Sequence, residues 1–189
     1  MADVYLRHKL CDRAEELYLK AYRIGHRPSD LFSATQCMYM TRRYEEMVQP
    51  LLSLLPVAKE EGLAVAYRLA VAYKNLQQYE EAIRYYKLQM ETSPDDADSG
   101  ACWFNIALCE RDMGNYPQAR VAMRKVLKLF DSDEEKAMCY YGLGELCLEQ
   151  KQYKQALDCF DRAVALDPEV DDYAKARKLA MSHMKRSRK

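Results

Sequence analysis

Seven cysteines and three histidines are the side chains of this sequence best suited to nucleophilic or metal chemistry, and their spacing supports neither. No two cysteines stand as C-x-x-C, and His8, His26 and His183 have no partner at zinc-ligand spacing. The sequence has no Gly-rich phosphate loop, no H-E-x-x-H pair and no nucleophile motif. Scattered His and Cys make no general-base constellation. The expectation is a non-enzymatic protein that uses no metal or cofactor. Cys37, Cys102, Cys109, Cys139, Cys147 and Cys159 fall inside apolar periodic segments. With an odd total, they read as buried free thiols of a reducing compartment rather than a secreted disulfide framework.

The elements that carry these residues must be helical. The 189 residues include 49% apolar and 31% charged side chains, with only six Gly and six Pro, too few for a turn-rich β protein. The apolar share suffices for one domain-sized core. The longest apolar runs fall far below the ~20 residues of a membrane span, and no N-terminal stretch resembles a signal peptide. Lys and Arg equal Asp and Glu at 29 each, so no whole-molecule field favours nucleic acid.

A period runs through the chain. Tyr44, Tyr79, Tyr116 and Tyr153 open four similar segments at spacings of 35, 37 and 37 residues. Three residues after each Tyr stands Met47, Ala82, Ala119 or Ala156, and four later Leu51, Tyr86, Met123 or Phe160. The preceding segments also repeat: Leu31-x-x-Ala34-Thr35, Ala66-x-x-Leu69-Ala70, Trp103-x-x-Ile106-Ala107 and Tyr140-x-x-Leu143-Gly144. Cys11, Ala14 and Tyr18 form a leading half-copy. Apolar residues at i, i+3, i+4 and i+7 give each helix one buried face, and the small columns let paired helices approach closely. Met47 and Thr35 depart from the small-residue columns, which predicts altered packing in the first full repeat. Pro28-Ser29-Asp30, Ser93-Pro94-Asp95-Asp96 and Asp131-Ser132-Asp133 supply the helix start and stop signals.

This pattern resembles the tetratricopeptide repeat family, W-x2-L-G-x2-Y followed by A-x3-F and P, over roughly residues 1–168. The resemblance implies an all-α fold, a right-handed superhelix (α-α solenoid) of stacked antiparallel helix pairs. The organisation expected is a half-repeat over 1–27 and four repeats over 28–168, at about 28–61, 63–96, 100–133 and 137–170. A capping helix with a basic tail follows over 171–189. Ala176, Leu179, Ala180 and His183 share one face of that last helix. At the other end, Val4, Tyr5 and Leu6 read as the end of a first helix whose beginning is missing.

The family's first helices line a concave groove that holds a partner's peptide or helix. The residue after the Trp-like column should face it, giving Phe32, Tyr67, Phe104 and Tyr141 as an aromatic stripe. One turn on come Gln36, Val71, Leu108 and Glu145, with Arg68, Lys74, Asn105 and Arg111 as polar members of the same surface. Asn75 and Glu149 belong to the same polar set. The family's carboxylate clamp for chaperone C-termini is not expected. Its columns read Phe32, Gln36, Arg68, Ala101 and Asn105 in one register. In the other they read Tyr67, Val71, Asn105, Met138 and Gly142, where only Asn105 fits.

Residues 174–189 contain seven Lys/Arg and no acid, which leaves 22 basic against 29 acidic residues, net −7, for residues 1–173. The tail, Lys185 to Lys189, is a solubilising end or a nuclear-localisation or nucleic-acid contact, without interleaved aromatics. The functional expectation is a cytoplasmic (or, through the tail, nuclear) interaction scaffold or adaptor for a protein or peptide ligand, with no membrane contact. The alternatives are a dedicated chaperone shielding a client and a piece of a larger repeat array in a multiprotein assembly.

Overall fold

The computed structural model describes residues 10–93 and 96–187, with side chains 96–98 left aside. Val4, Tyr5, Leu6, His8, Pro94, Asp95, Arg188 and Lys189 therefore lie outside the described residues. Within them the chain is helical and contains no strand. It divides into two compact units, 1–94 and 95–189.

The first unit holds α1 (Cys11–Gly25), α2 (Pro28–Met40), α3 (Tyr44–Leu54), α4 (Val65–Asn75) and α5 (Tyr79–Thr92). A single 3-10 turn, Leu55–Val57, follows α3. The second holds α6 (Asp96–Asp112), α7 (Tyr116–Leu129), α8 (Asp133–Glu149), α9 (Tyr153–Leu166) and α10 (Asp171–Arg186). Within each unit every helix packs on its chain neighbour, α1 on α2 through α4 on α5, and α6 on α7 through α9 on α10. Such nearest-neighbour stacking is how helix pairs bury faces that one pair cannot bury alone.

The repeat columns form the cores. Ala70, Ala82, Ala119 and Ala156 are fully buried, as are Leu51, Tyr86 and Phe160. Gly144 sits under Phe160: a Cβ there would lie 2.4 Å from Phe160 Cε1. Gly100 is held the same way, with Phe130 Cε1 2.2 Å from a Cβ position. Met47 and Thr35 are also fully buried. Thr35 satisfies its hydroxyl by donating to the Phe32 carbonyl at 2.7 Å. Pro50 lies inside α3, which runs 11 residues against 14 for α5, α7 and α9. Proline lacks an N–H, so Pro50 removes one ladder bond inside α3, which still runs on to Leu54.

The turns between paired helices share one geometry. Arg42, Gln77, Gly114 and Lys151 take φ of 60°, 60°, 79° and 58°, each two residues before the repeated Tyr. The next N–H reaches back five residues in all four: Arg43 to Met38, Gln78 to Tyr73, Asn115 to Glu110 and Gln152 to Cys147, at 2.7–2.9 Å. These bonds satisfy carbonyls that a helix end leaves open.

The start signals act unequally. Ser132 caps α8, accepting from the Glu135 N–H at 3.2 Å while its hydroxyl donates to the Glu135 carboxylate at 2.8 Å. At α2 the helix does start at Pro28 with Asp30 in its first turn, but neither Ser29 nor Asp30 caps it. The N-cap is Arg27, and Asp30 pairs with its guanidinium at 2.9 Å. In α10, Ala180 is buried and His183 stacks on Tyr153 at 5.4 Å, whereas Leu179 is exposed rather than packed. Six cysteines are buried and Cys159 is half-buried, all of them free thiols.

Candidate functional site

The expected surface residues are carried by first helices: Phe32 and Gln36 on α2, and Tyr67, Arg68, Val71 and Lys74 on α4. In the second unit they are Phe104, Asn105, Leu108 and Arg111 on α6, with Tyr141 and Glu145 on α8. All twelve are half-buried, so each has one side in the protein and another open. That placement follows from the helical period, which sets them beside the fully buried columns at Leu69, Ala70, Ile106 and Ala107.

In the first unit the arrangement centres on Arg68. Its guanidinium lies 3.8 Å from the Phe32 ring centroid. Nη1 donates to the Phe32 carbonyl at 2.8 Å and to Thr35 Oγ1 at 3.1 Å. Among the described residues no carboxylate stands within ion-pair distance of it. Burial lowers its pKa to about 10, partly offset by the nearby Cys37 and Tyr39. A cation–π contact of this kind contributes roughly 0.5–2 kcal/mol, and it leaves the positive charge without a counter-ion. Beside it, the Tyr67 ring meets Tyr86 edge-on at 5.6 Å, and the Tyr67 N–H donates to Gln89 at 3.2 Å.

In the second unit the aromatic positions pack on neighbouring apolar side chains, and Arg111 is charge-balanced. Phe104 packs on the cluster of Val126, Phe130 and Cys139. Tyr141 sits 5.7 Å from Phe160 and 5.2 Å from Tyr173. Burial, then the neighbouring Glu145, raises its hydroxyl pKa. Arg111 approaches Glu145 at 3.9 Å and binds Asp112 at 2.9 Å. Against the effect of burial, Asp112, Glu149 and Glu145 raise its pKa. Asn105 donates to the Ala101 carbonyl at 2.9 Å.

Two contacts were not foreseen from the sequence. Thr35, noted only as a departure from a small column, is an acceptor for Arg68. Lys125 sits 3.5 Å over the Trp103 ring. Both link residues some 20 to 35 positions apart, which no local period encodes. Among the described residues, no helix is long and apolar enough to cross a membrane. Among them, too, no three His, Cys, Asp or Glu gather as a metal site.

A family model for the tetratricopeptide repeat matches residues 62–132 and 98–169. The chain belongs to the tetratricopeptide repeat family. Its helix pairs are shared with solved structures, among them tetratricopeptide proteins. One is the C-terminal part of a repeat-containing protein from Cytophaga hutchinsonii, 17% identical over 98% of this chain and 71% of that one, with a TM-score of 0.81. Another is MamA from Desulfovibrio magneticus RS-1, 18% identical over 90% and 93% of the two chains, TM-score 0.76. A third is YrrB, described as having an unusual peptide-binding site, 19% identical over 94% and 88%, TM-score 0.70. The Photosystem I assembly protein Ycf3 of Cyanophora paradoxa is 26% identical over 130 residues, 66% of this chain and 75% of that protein. The tetratricopeptide fold is that of protein–protein interaction scaffolds.

Proposed function

We propose that this chain is a non-enzymatic scaffold that holds an extended or helical segment of a partner protein against its first-helix faces. Phe32 and Tyr67 supply apolar contact in the first unit and Phe104 and Tyr141 in the second, with Val71 and Leu108 one turn on from Tyr67 and Phe104. Gln36, Lys74, Asn105, Arg111 and Glu145 fix register by hydrogen bonds. The observation that carries this reading is Arg68: half-buried, stacked on Phe32 and, among the described residues, bonded only to neutral acceptors. A partner carboxylate would complete it, and a hydrogen bond to a charged group contributes about 1.5–3 kcal/mol.

The test is a peptide array read by fluorescence polarisation. Peptides with an acidic residue flanked by apolar ones should be selected at micromolar Kd, about −8 kcal/mol. Arg68→Gln should weaken the selected peptides by roughly tenfold or more, and Tyr67→Ala with Phe104→Ala should abolish binding. Unchanged affinity in the double variant would remove the first-helix assignment.

A second reading is favoured by the likeness to an assembly protein. The chain would act as a dedicated chaperone for one client during assembly. Co-purification of an unstructured client at equal stoichiometry supports that reading, and a folded client bound through one short peptide sinks it.

A further inference from the structure

We propose that Cys147 and Cys159 form a redox-modification site, a dithiol that a hydroperoxide oxidises to an intramolecular disulfide tying α8 to α9. The inference is independent of the interaction surface. Cys147 lies in the last turn of α8, buried against Ala156 and Phe160 of α9 and Ala180 of α10. Its Sγ is 4.0 Å from Gln155 Oε1. Gln155 and Cys159 are four apart on α9, so they share a face and the second thiol follows one turn along. That sets Cys159 beside Cys147 where α8 packs on α9, near enough for each thiol to act on the other's titration. Cys159 is half-buried, which gives a small oxidant its way in.

A third group completes the cluster. Arg120 reaches from α7 to the turn between α8 and α9, where its Nη2 donates to the side-chain oxygens of Gln150 and Gln152. Its Nε is buried without a partner among the described residues. The other charged groups nearby are Arg162 and Asp158, beside Cys159. From α10 the neighbours are the apolar Ala176 and Ala180.

The cluster separates Cys147 from Cys37 and Cys139. The hydrogen bond from Cys159, working against burial and with the Arg120 charge, lowers Cys147 to about 7. The same bond raises Cys159. Burial pushes Cys37 up to about 11 and Cys139 up to about 12, which keeps both protonated. The thiolate is the nucleophile, so near neutral pH Cys147 is favoured over Cys37 and Cys139.

The chemistry balances with the hydroperoxide as two-electron oxidant. The Cys147 thiolate attacks the terminal peroxide oxygen, the O–O bond breaks, and hydroxide or alkoxide leaves, giving a sulfenic acid. Cys159 then attacks the Cys147 sulfur. The S–S bond forms, the S–O bond breaks, and the oxygen leaves as water with the Cys159 proton.

The test needs no variant at first. The full chain is treated with limiting hydrogen peroxide at neutral pH, the remaining thiols are blocked with N-ethylmaleimide, and tryptic peptides are mapped. Trypsin places Cys147 with Cys139 in residues 137–151 and Cys159 in residues 155–162, so fragmentation locates the link. The expected result is one dominant cross-link, Cys147 to Cys159, with Cys139 alkylated. Cys147 should also alkylate at least ~10-fold faster than Cys37 or Cys139 at pH 7. Cys159→Ala should raise the pH midpoint of Cys147 alkylation and leave a sulfenic acid that dimedone traps. A different pairing, no cross-link, or Cys147 alkylation no faster than that of Cys139 overturns the proposal.

Discussion

Gly144 and Phe160 show how narrowly single residues set the helix spacing. The Phe160 ring fills the place where any side chain at 144 would begin, and it is itself fully buried. Gly144→Ala must therefore displace the ring or part α8 from α9, at a cost of roughly 1–3 kcal/mol. Urea denaturation should show the loss as a lower midpoint, and Gly25→Ala serves as contrast because a Cβ there meets only the Arg27 side chain, at an ordinary 3.8 Å. An unchanged midpoint for Gly144→Ala would mean the pair packs more loosely than described. The small column at Ala70, Ala107 and Gly144 was legible in the sequence because a helical period alone places it. The environment of the aromatic column was less so. Phe32 lies under Arg68, while Tyr141 packs between Phe160 and Tyr173, and both outcomes depend on side chains far along the chain.

At the level of elements, the four left-handed turns explain why the paired helices reverse at the same point in every repeat. Only Gly114 adopts the required φ without a Cβ penalty, whereas Arg42, Gln77 and Lys151 adopt it against one. Gln77→Gly and Lys151→Gly should each stabilise by about 0.5–1 kcal/mol, and Gly114→Ala should destabilise by a similar amount. Thermal melts of the three variants decide it; a lower Tm for both glycine variants would place the cost elsewhere. The turn was hidden in the sequence because three of its four central residues are not glycine. The constant two-residue offset before Tyr44, Tyr79, Tyr116 and Tyr153 was its available trace. Start signals divided for a related reason. Ser132 caps because its hydroxyl and Glu135 satisfy one another, whereas Asp30 is drawn to Arg27. Ser132→Ala should accordingly cost about 1 kcal/mol, read in the same melts.

For the molecule as a whole, stability should be distributed along the chain rather than held at one centre. The zero net charge divides into an acidic 1–173 and a basic end, and among the described residues the clusters around Ala14, Val126, Phe160 and Tyr173 each join neighbouring helices. Phe160 belongs to the cluster that joins α8, α9 and α10. Phe160→Ala removes a fully buried ring, a change that costs about 3–5 kcal/mol where surroundings cannot collapse. If the energetics are a sum of repeat and nearest-neighbour terms, that loss should appear first where the ring packs. Native-state hydrogen exchange followed by mass spectrometry should show protection falling in α8, α9 and α10, with α6 less affected. Helices α1 to α5 should keep the exchange of the unmodified chain. An equal fall in every helix would show one cooperative transition for all 189 residues. The repeat units would then be units of sequence and geometry only, not of energy.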